Sequence, residues 1–307
     1  MKMKKFFYIG AALWAFGLAG CSNDNASVTE PDVSSGSAED KVAINVSASL
    51  ISTRAVDDHW DAQDEIGISM FPPDSRDVVG ENFNREYITA TTNGNFQPAN
   101  SATTIYFPQD DSQVIFKAYY PYLASLGTDM EYPVSVASQT NLPAIDLLTS
   151  EMESDTYSRS TPNVVLTFHH RLSKLIFTIE FEEEFFTLDG GSLVMQGMKT
   201  EGSYQLYEDT LAVEETSVAD IQVPLTADSN MLTGKAIVLP RDAASGISFQ
   251  ITTSAGETFT AQMDDALDLL SGYRYTFTII LRKTGGHSII TNIEDWTEGE
   301  TSELEAG

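Results

Sequence analysis

Cys21 carries the most specific chemistry in this 307-residue chain. It is the only cysteine, and it follows Leu18-Ala19-Gly20, an apolar stretch from Phe6 to Gly20 and the basic start Met1-Lys2-Met3-Lys4-Lys5. Small residues beside a scissile bond suit a signal peptidase, and a thiol directly after them suits lipid attachment. The stretch is shorter than the roughly 20 apolar residues a membrane-spanning helix needs, and no later stretch reaches that length. The sequence therefore predicts a signal peptide over 1–20 and lipidation at Cys21, such as palmitate. The alternative is an ordinary export signal with an incidental cysteine. The mature chain would be anchored to a membrane by lipid, not embedded in it.

Other reactive groups suggest no enzyme. The histidines are His59, His169, His170 and His287, and only the middle two are neighbours. Successive strand residues face opposite sides, so those two do not easily share a ligand. The chain lacks HExxH, GxSxG, a glycine-rich phosphate loop and a Cys/His ligand set. Acidic clusters at Asp57-Asp58-His59-Trp60-Asp61 and Glu151-Met152-Glu153-Ser154-Asp155 read first as solvated loops and second as calcium sites. Nothing singles out a carboxylate pair for glycoside hydrolysis. The expectation is no catalytic residue, no metal and no cofactor.

Composition narrows the partners. Without the three lysines of 1–20, 14 basic residues face 45 acidic ones, a formal charge of −31. Such a surface repels nucleic acid and anionic lipid and favours solubility in an exposed setting. With Cys21 acylated, no thiol remains for disulfides, so burial must supply stability.

The elements that position these residues read as β throughout. Ser22 to Asp40 is polar and acidic, too poor in apolar groups to offset ordering entropy, and predicts a tether over 21–40. Its 19 residues reach on the order of 25 Å as a coil. From Lys41, Val42, Ile44, Val46, Ala48 and Leu50 alternate with small or polar residues, the period of a strand with one buried face. Further strands are expected at 66–71, 104–107, 114–120, 164–168, 172–181, 204–207, 235–239, 247–251, 259–263 and 273–281. Only short turns around 144–148 and 266–270 carry a hint of helical period. The fold class is all-β, with sandwiches the best fit. The acidic run Glu182-Glu183-Glu184 and the Asp189-Gly190-Gly191 turn suggest a seam, giving domains at 41–182 and 183–307.

Several segments, in order, carry a resemblance. They are Thr53-Arg54-Ala55, Trp60, Asp64-Glu65-Ile66-Gly67-Ile68, the run Phe116 to Tyr122, Gln139, Ile145-Asp146-Leu147-Leu148, the run Phe168 to Leu175, Gly272-Tyr273-Arg274-Tyr275 and Ile293-Glu294-Asp295-Trp296. Together, from about 53 to 297, they resemble the fimbrillin family, lipoprotein-derived subunits of type V pili in Gram-negative anaerobes. The resemblance implies two transthyretin-like sandwiches in tandem and a surface location at the outer membrane. It also implies a trypsin-like maturation protease that cuts after Arg54, before Ala55. The first strand would then leave, opening a groove for a strand of another fimbrial subunit or a second copy.

Physical chemistry permits such a switch. Burying Val42, Ile44, Val46 and Leu50 is worth about 6–12 kcal/mol as an upper estimate. A domain's whole stability is about 5–15 kcal/mol. Losing the strand should leave an unstable groove with unpaired backbone groups, an acceptor for β-augmentation. The candidate donor is His287 to Asp295, with Ile289, Thr291 and Ile293 on one face, after Gly285-Gly286. The plain alternative is a permanent strand followed by a surface loop at Arg54. At the level of function, the alternative is a lipid-anchored binder of glycan or host ligand that does not polymerise. A secreted hydrolase has little support. Trp60, Trp296, His170 and Lys174 read as interior or rim residues.

Overall fold

Period-two patterning dominates the structure, as burial of one strand face requires. The computed structural model describes residues 41–51, 59–151, 155–181, 190–228, 231–243 and 246–281, and the backbone of 287–295. Among the described residues there are strands and turns and no helix, so the chain is all-β. The first strands are β1 (Asn45–Leu50), β2 (Glu65–Phe71), β3 (Arg85–Thr89), β4 (Asn95–Pro98) and β5 (Ile115–Tyr120). They are followed by β6 (Glu131–Ser135), β7 (Leu148–Ser150) and β8 (Asn163–His170). All but β6 close a barrel in the order β1-β4-β3-β2-β5-β7-β8, with β8 returning to β1.

The second half adds β9 (Ser173–Phe181), β10 (Ser192–Lys199), β11 (Glu201–Gln205), β12 (Thr210–Val213) and β13 (Val218–Val223). Then come β14 (Leu225–Asp228), β15 (Met231–Val238), β16 (Ser248–Thr252), β17 (Thr258–Gln262), β18 (Tyr273–Leu281) and β19 (His287–Asp295). They form a sheet β14-β15-β9-β18-β19, a sheet β13-β10-β16-β17 and a smaller sheet β12-β11-β6. The residues from Asp40 onward make one compact unit. Within it, buried apolar side chains gather into two cores, one inside the barrel and one between the later sheets. The passage between cores lies between Phe168 and Leu172, and β9 lines the second.

β5 serves both cores. Phe116 and Ala118 point into the barrel, whereas Ile115 and Tyr119 join the second cluster. That accounts for aromatic residues on both parities of this segment, since neither face meets water. β2 behaves alike, with Ile66, Ile68 and Met70 inside the barrel and Phe71 in the second core. The stretch 104–107, expected as a strand, makes only an isolated bridge between Ala43 and Tyr106. Its alternation is still used, because Ile105 and Phe107 are buried in the barrel core.

Gln139 completes a sheet edge. β14 pairs β15 only from Met231 to Gly234, which leaves Ile237 facing Gln139. The buried amide Nε2 donates to the Val136 and Ile237 carbonyls at 2.6 and 2.9 Å, and Oε1 accepts the Ile237 N–H at 2.8 Å. Truncation would strand these groups, each worth about 1–3 kcal/mol when buried and unsatisfied. Gln139→Ala should therefore lower stability by about 3 kcal/mol or more, read as a shifted urea midpoint with unchanged slope.

Candidate functional site

β1 is a stave between two neighbours. It runs parallel to β8 over six residue pairs, Asn45↔Asn163 to Leu50↔Phe168. Against β4 it is antiparallel over only two pairs, Val46↔Phe96 and Ser47↔Asn95. Flanking backbone bonds extend the contact: Ile44 N–H to the Ile105 carbonyl at 3.1 Å, Phe107 N–H to the Val42 carbonyl at 3.0 Å, and Ile51 N–H to the Phe168 carbonyl at 3.0 Å. Ile44, Val46 and Ala48 are buried in the barrel, while Val42 and Leu50 are half-buried against it. Removing β1 would open the barrel between β4 and β8, exposing an unpaired edge on each side and an apolar floor. Arg54 and Ala55 lie outside the described residues, as does Cys21.

The C-terminal half of β1 is gripped at Ala48. Its N–H donates to the Gly94 carbonyl at 2.7 Å, and its carbonyl accepts the Trp60 indole Nε1–H at 3.0 Å. Trp60 is 3 % exposed and meets Phe96, Phe168 and Tyr120 edge-on, with centroids 5.0, 5.1 and 5.7 Å away. Gly94 has φ +73°, and a Cβ there would stand 2.1 Å from the Ala48 carbonyl oxygen. Only glycine permits that approach. The role of Gly94 escaped the reading of the sequence, although Asn93-Gly94 between β3 and β4 is a strong hairpin signal.

Below Trp60 lies a cavity of about 350 Å³, lined by Leu50, Tyr120, Asn141, Asp146, His170 and Lys174 among others. Burial raises the Asp64 carboxyl above the ordinary carboxylate range, opposed by hydrogen bonds from the Asp61 N–H and the Tyr120 hydroxyl. Burial likewise raises the Tyr120 phenol, reinforced by the Asp64 charge. His170 Nδ1 sits 3.0 Å from Asp146 Oδ1, whereas His169 Nε2 faces Glu151 Oε1 at 3.3 Å on the other side of β8. The adjacent histidines thus serve different pairs. Among the described residues, no group of three or more metal-ligating side chains converges.

A second polar cluster joins the barrel to β11. Arg171 Nη2 meets Asp209 Oδ2 at 2.9 Å, and Asp209 Oδ1 accepts the Tyr204 and Thr149 hydroxyls at 2.6 and 3.1 Å. Lys117 is buried beside it, with its ammonium pKa lowered by burial. This partly buried charge pairing links the barrel end of β8 to the β11–β12 turn.

Among the described residues, the backbone of β19 pairs with β18 alone, antiparallel from Tyr273↔Asp295 to Leu281↔His287. Ile289, Thr291 and Ile293 are on this edge strand; their side chains, and Trp296, lie outside the described set. The β1 stave and the β19 edge belong to different sheets, and the structure does not bring them together.

The fimbrillin-like family profile matches residues 53–296. The chain is 32 % identical over 308 residues to a Bacteroides uniformis protein named "Putative fimbrium subunit Fim1C", covering 97 % of each. A crystal structure from Bacteroides uniformis described as a "putative cell adhesion protein" superposes with TM-score 0.71 at 30 % identity, covering 85 % of this chain and 100 % of that one. A similarly described structure from Bacteroides ovatus gives TM-score 0.68 at 21 % identity, covering 85 % and 99 %, and shows the shared fold. With a match spanning most of its length and a relative aligned end to end, the chain belongs to the fimbrillin-like family.

Proposed function

We propose that this chain is a non-catalytic fimbrial subunit, exported as a lipoprotein through Cys21, that assembles with other subunits by strand exchange after cleavage between Arg54 and Ala55. The observation that carries the reading is β1 itself: one stave, gripped on both sides, closes an otherwise continuous barrel. Until the chain is cut, connectivity holds β1 in place and the barrel needs no partner. After the cut, the strand is a separate peptide and can be exchanged for another chain's strand. The relative named as a fimbrium subunit and the neighbour described as a cell adhesion protein agree with a role in surface structures. The proposed partners are fimbrial subunits or a second copy, a trypsin-like protease, and the outer membrane through the lipid.

β19 supports the reading as donor, because an edge strand paired on one side among the described residues can leave by breaking one ladder. The division into two tandem β units belongs to the same proposal, with the seam between Phe168 and Leu172 in place of 182/183, because β9 packs in the second core. So does a consequence for topology: cleavage parts the lipid at Cys21 from the rest, whereas an uncut chain stays tethered.

The test is limited digestion of the purified chain. A trypsin-like protease should cut at Arg54 and yield ladders that resist sodium dodecyl sulfate. Arg54→Ala should stay full-length and monomeric, and deletion of 287–307 should be cut without forming ladders. Ladders from either variant would overturn the corresponding step.

A further inference from the structure

Charge is missing from one wall of the barrel. In a chain with 20 % charged residues and a formal charge of −28, three stretches hold no Asp, Glu, Lys or Arg: Val42 to Ile51, Tyr87 to Gln109 and Ser160 to Phe168. They are far apart in sequence, yet the fold sets them side by side, because β1 pairs β4 on one flank and β8 on the other. The segment 104–107 extends the wall through the Ala43–Tyr106 bridge. Core packing explains the neutral residues that alternate inward, such as Val46, Phe96 and Val164. It does not explain the outward ones. Asn95, Ser47 and Val165 form one row across the three strands, flanked by the rows Asn45–Asn163 and Ser49–Thr167. These side chains and Gln97 are exposed or half-buried, and the Asn45 amide donates to Asn163 Oδ1 at 3.1 Å. Outward positions on other strands do carry charge, as at Glu131 of β6, Glu201 of β11 and Asp220 of β13. The wall also exposes two large apolar side chains, Val165 at 59 % and Tyr106 at 39 %. Charges stand at its margins: Lys41, with its ammonium 5.5 Å from the Tyr106 ring centroid, Glu86 on β3, and the His169–Glu151 pair at the end of β8.

We propose that this neutral wall is a contact face for a second copy of the chain, the two copies pairing laterally, wall to wall. Charge supplies the argument. Two bodies this acidic repel wherever their carboxylates face each other, so approach costs least where neither presents any. A basic partner has no use for such a window, since the surrounding carboxylates would attract it. Interface centres are depleted of charge and ringed by polar groups, which is the pattern here. A neutral glycan is served less well. The central side chain, Val165, is aliphatic, and Lys41 already takes one face of the Tyr106 ring. Area sets the strength of the contact. Three strands about 4.8 Å apart, with six residues at about 3.3 Å each, present a face of about 15 by 20 Å. That is well below the roughly 800 Å² per partner of a stable complex. Single chains in dilute solution therefore stay apart, whereas chains already held side by side, at high effective concentration, pair. The contact needs only β1 in place and does not depend on strand exchange.

The test uses the uncut mature chain with Cys21→Ser, so that neither lipid nor proteolysis enters. Sedimentation equilibrium at up to about 1 mM should show a weak dimer. Raising salt from about 20 to about 300 mM should tighten it severalfold, because like charges outside the contact are screened. Val165→Glu should weaken the dimer about tenfold or more, since it sets like charges against each other across the contact. The near-isosteric Gln97→Glu should weaken it in the same direction. Val218→Glu is the control: that valine is 58 % exposed on β13, so the same charge is added away from the wall. Its effect should stay below about twofold. Unchanged thermal melting shows each variant to be folded. Equal effects of Val165→Glu and Val218→Glu, a dimer that weakens with added salt, or no association at about 1 mM would overturn the proposal. So would binding of an uncharged polysaccharide, abolished by Val165→Glu, in a chain that does not self-associate; the wall would then belong to glycan. Strand exchange after Arg54 cleavage would stand in each of these cases, because the chain under test is never cut.

Discussion

A chain that begins at Ala55 should lose about 5–9 kcal/mol relative to one carrying β1, enough to abolish cooperative folding of the barrel. Burial of Ile44 and Val46 accounts for about 1.5–3 kcal/mol each. The half-buried Val42 and Leu50 contribute about half as much each. This is lower than the value for four fully buried residues, because the two ends of the segment are partly open. Lost backbone pairing with both β4 and β8 adds to the deficit, since each neighbour is left with an edge. Thermal melting followed by far-ultraviolet circular dichroism reads the effect. A synthetic peptide of residues 41–51 should restore the transition, and a version with Ile44→Asp and Val46→Asp should not. A shortened chain that melts cooperatively within a few degrees of the parent would show that β1 is dispensable to the barrel.

Trp60→Ala should cost about 3–5 kcal/mol for the cavity alone. The indole fills the barrel end between Phe96, Phe168 and Tyr120. Loss of the Nε1–H donor also leaves the Ala48 carbonyl one partner short. Trp60→Phe keeps most of the volume and should cost only the bond, about 1–2 kcal/mol. Urea unfolding separates the two, with a midpoint shift several times larger for alanine than for phenylalanine. Equal shifts would mean that the hydrogen bond, not the packing, dominates. An alanine variant within about 1 kcal/mol of the parent would remove Trp60 from the grip on β1.

Much of this organisation was legible in local pattern. The alternation from Val42 to Leu50 predicts β1, and observed strands at 65–71, 115–120, 163–170, 173–181 and 273–281 fall within two residues of expectation. Local pattern also marks Phe116 to Tyr122 as buried on both faces, because apolar residues of both parities leave no side for water. Where apolar content was sparse, strands went unread: β4 is Asn95–Pro98 and β6 is Glu131–Ser135, each with one fully buried side chain. The stretch 104–107 shows the opposite failure, since its alternation buries Ile105 and Phe107 without a ladder to support a strand.

By itself the sequence determined an all-β chain, strongly acidic, with a lone cysteine behind an export-like segment and a family signature from Thr53 to Trp296. These are properties of composition and of neighbours along the chain, which side-chain period and charge express directly. Only the tertiary structure decided that β1 closes a barrel between β4 and β8, that β6 crosses to β11, and that Gly94 and Trp60 meet on Ala48. Strand partners such as Asn45 and Asn163 stand 118 residues apart. A period of two specifies which face of a strand is buried but not which strand lies beside it; that choice is made by the packing of the whole core.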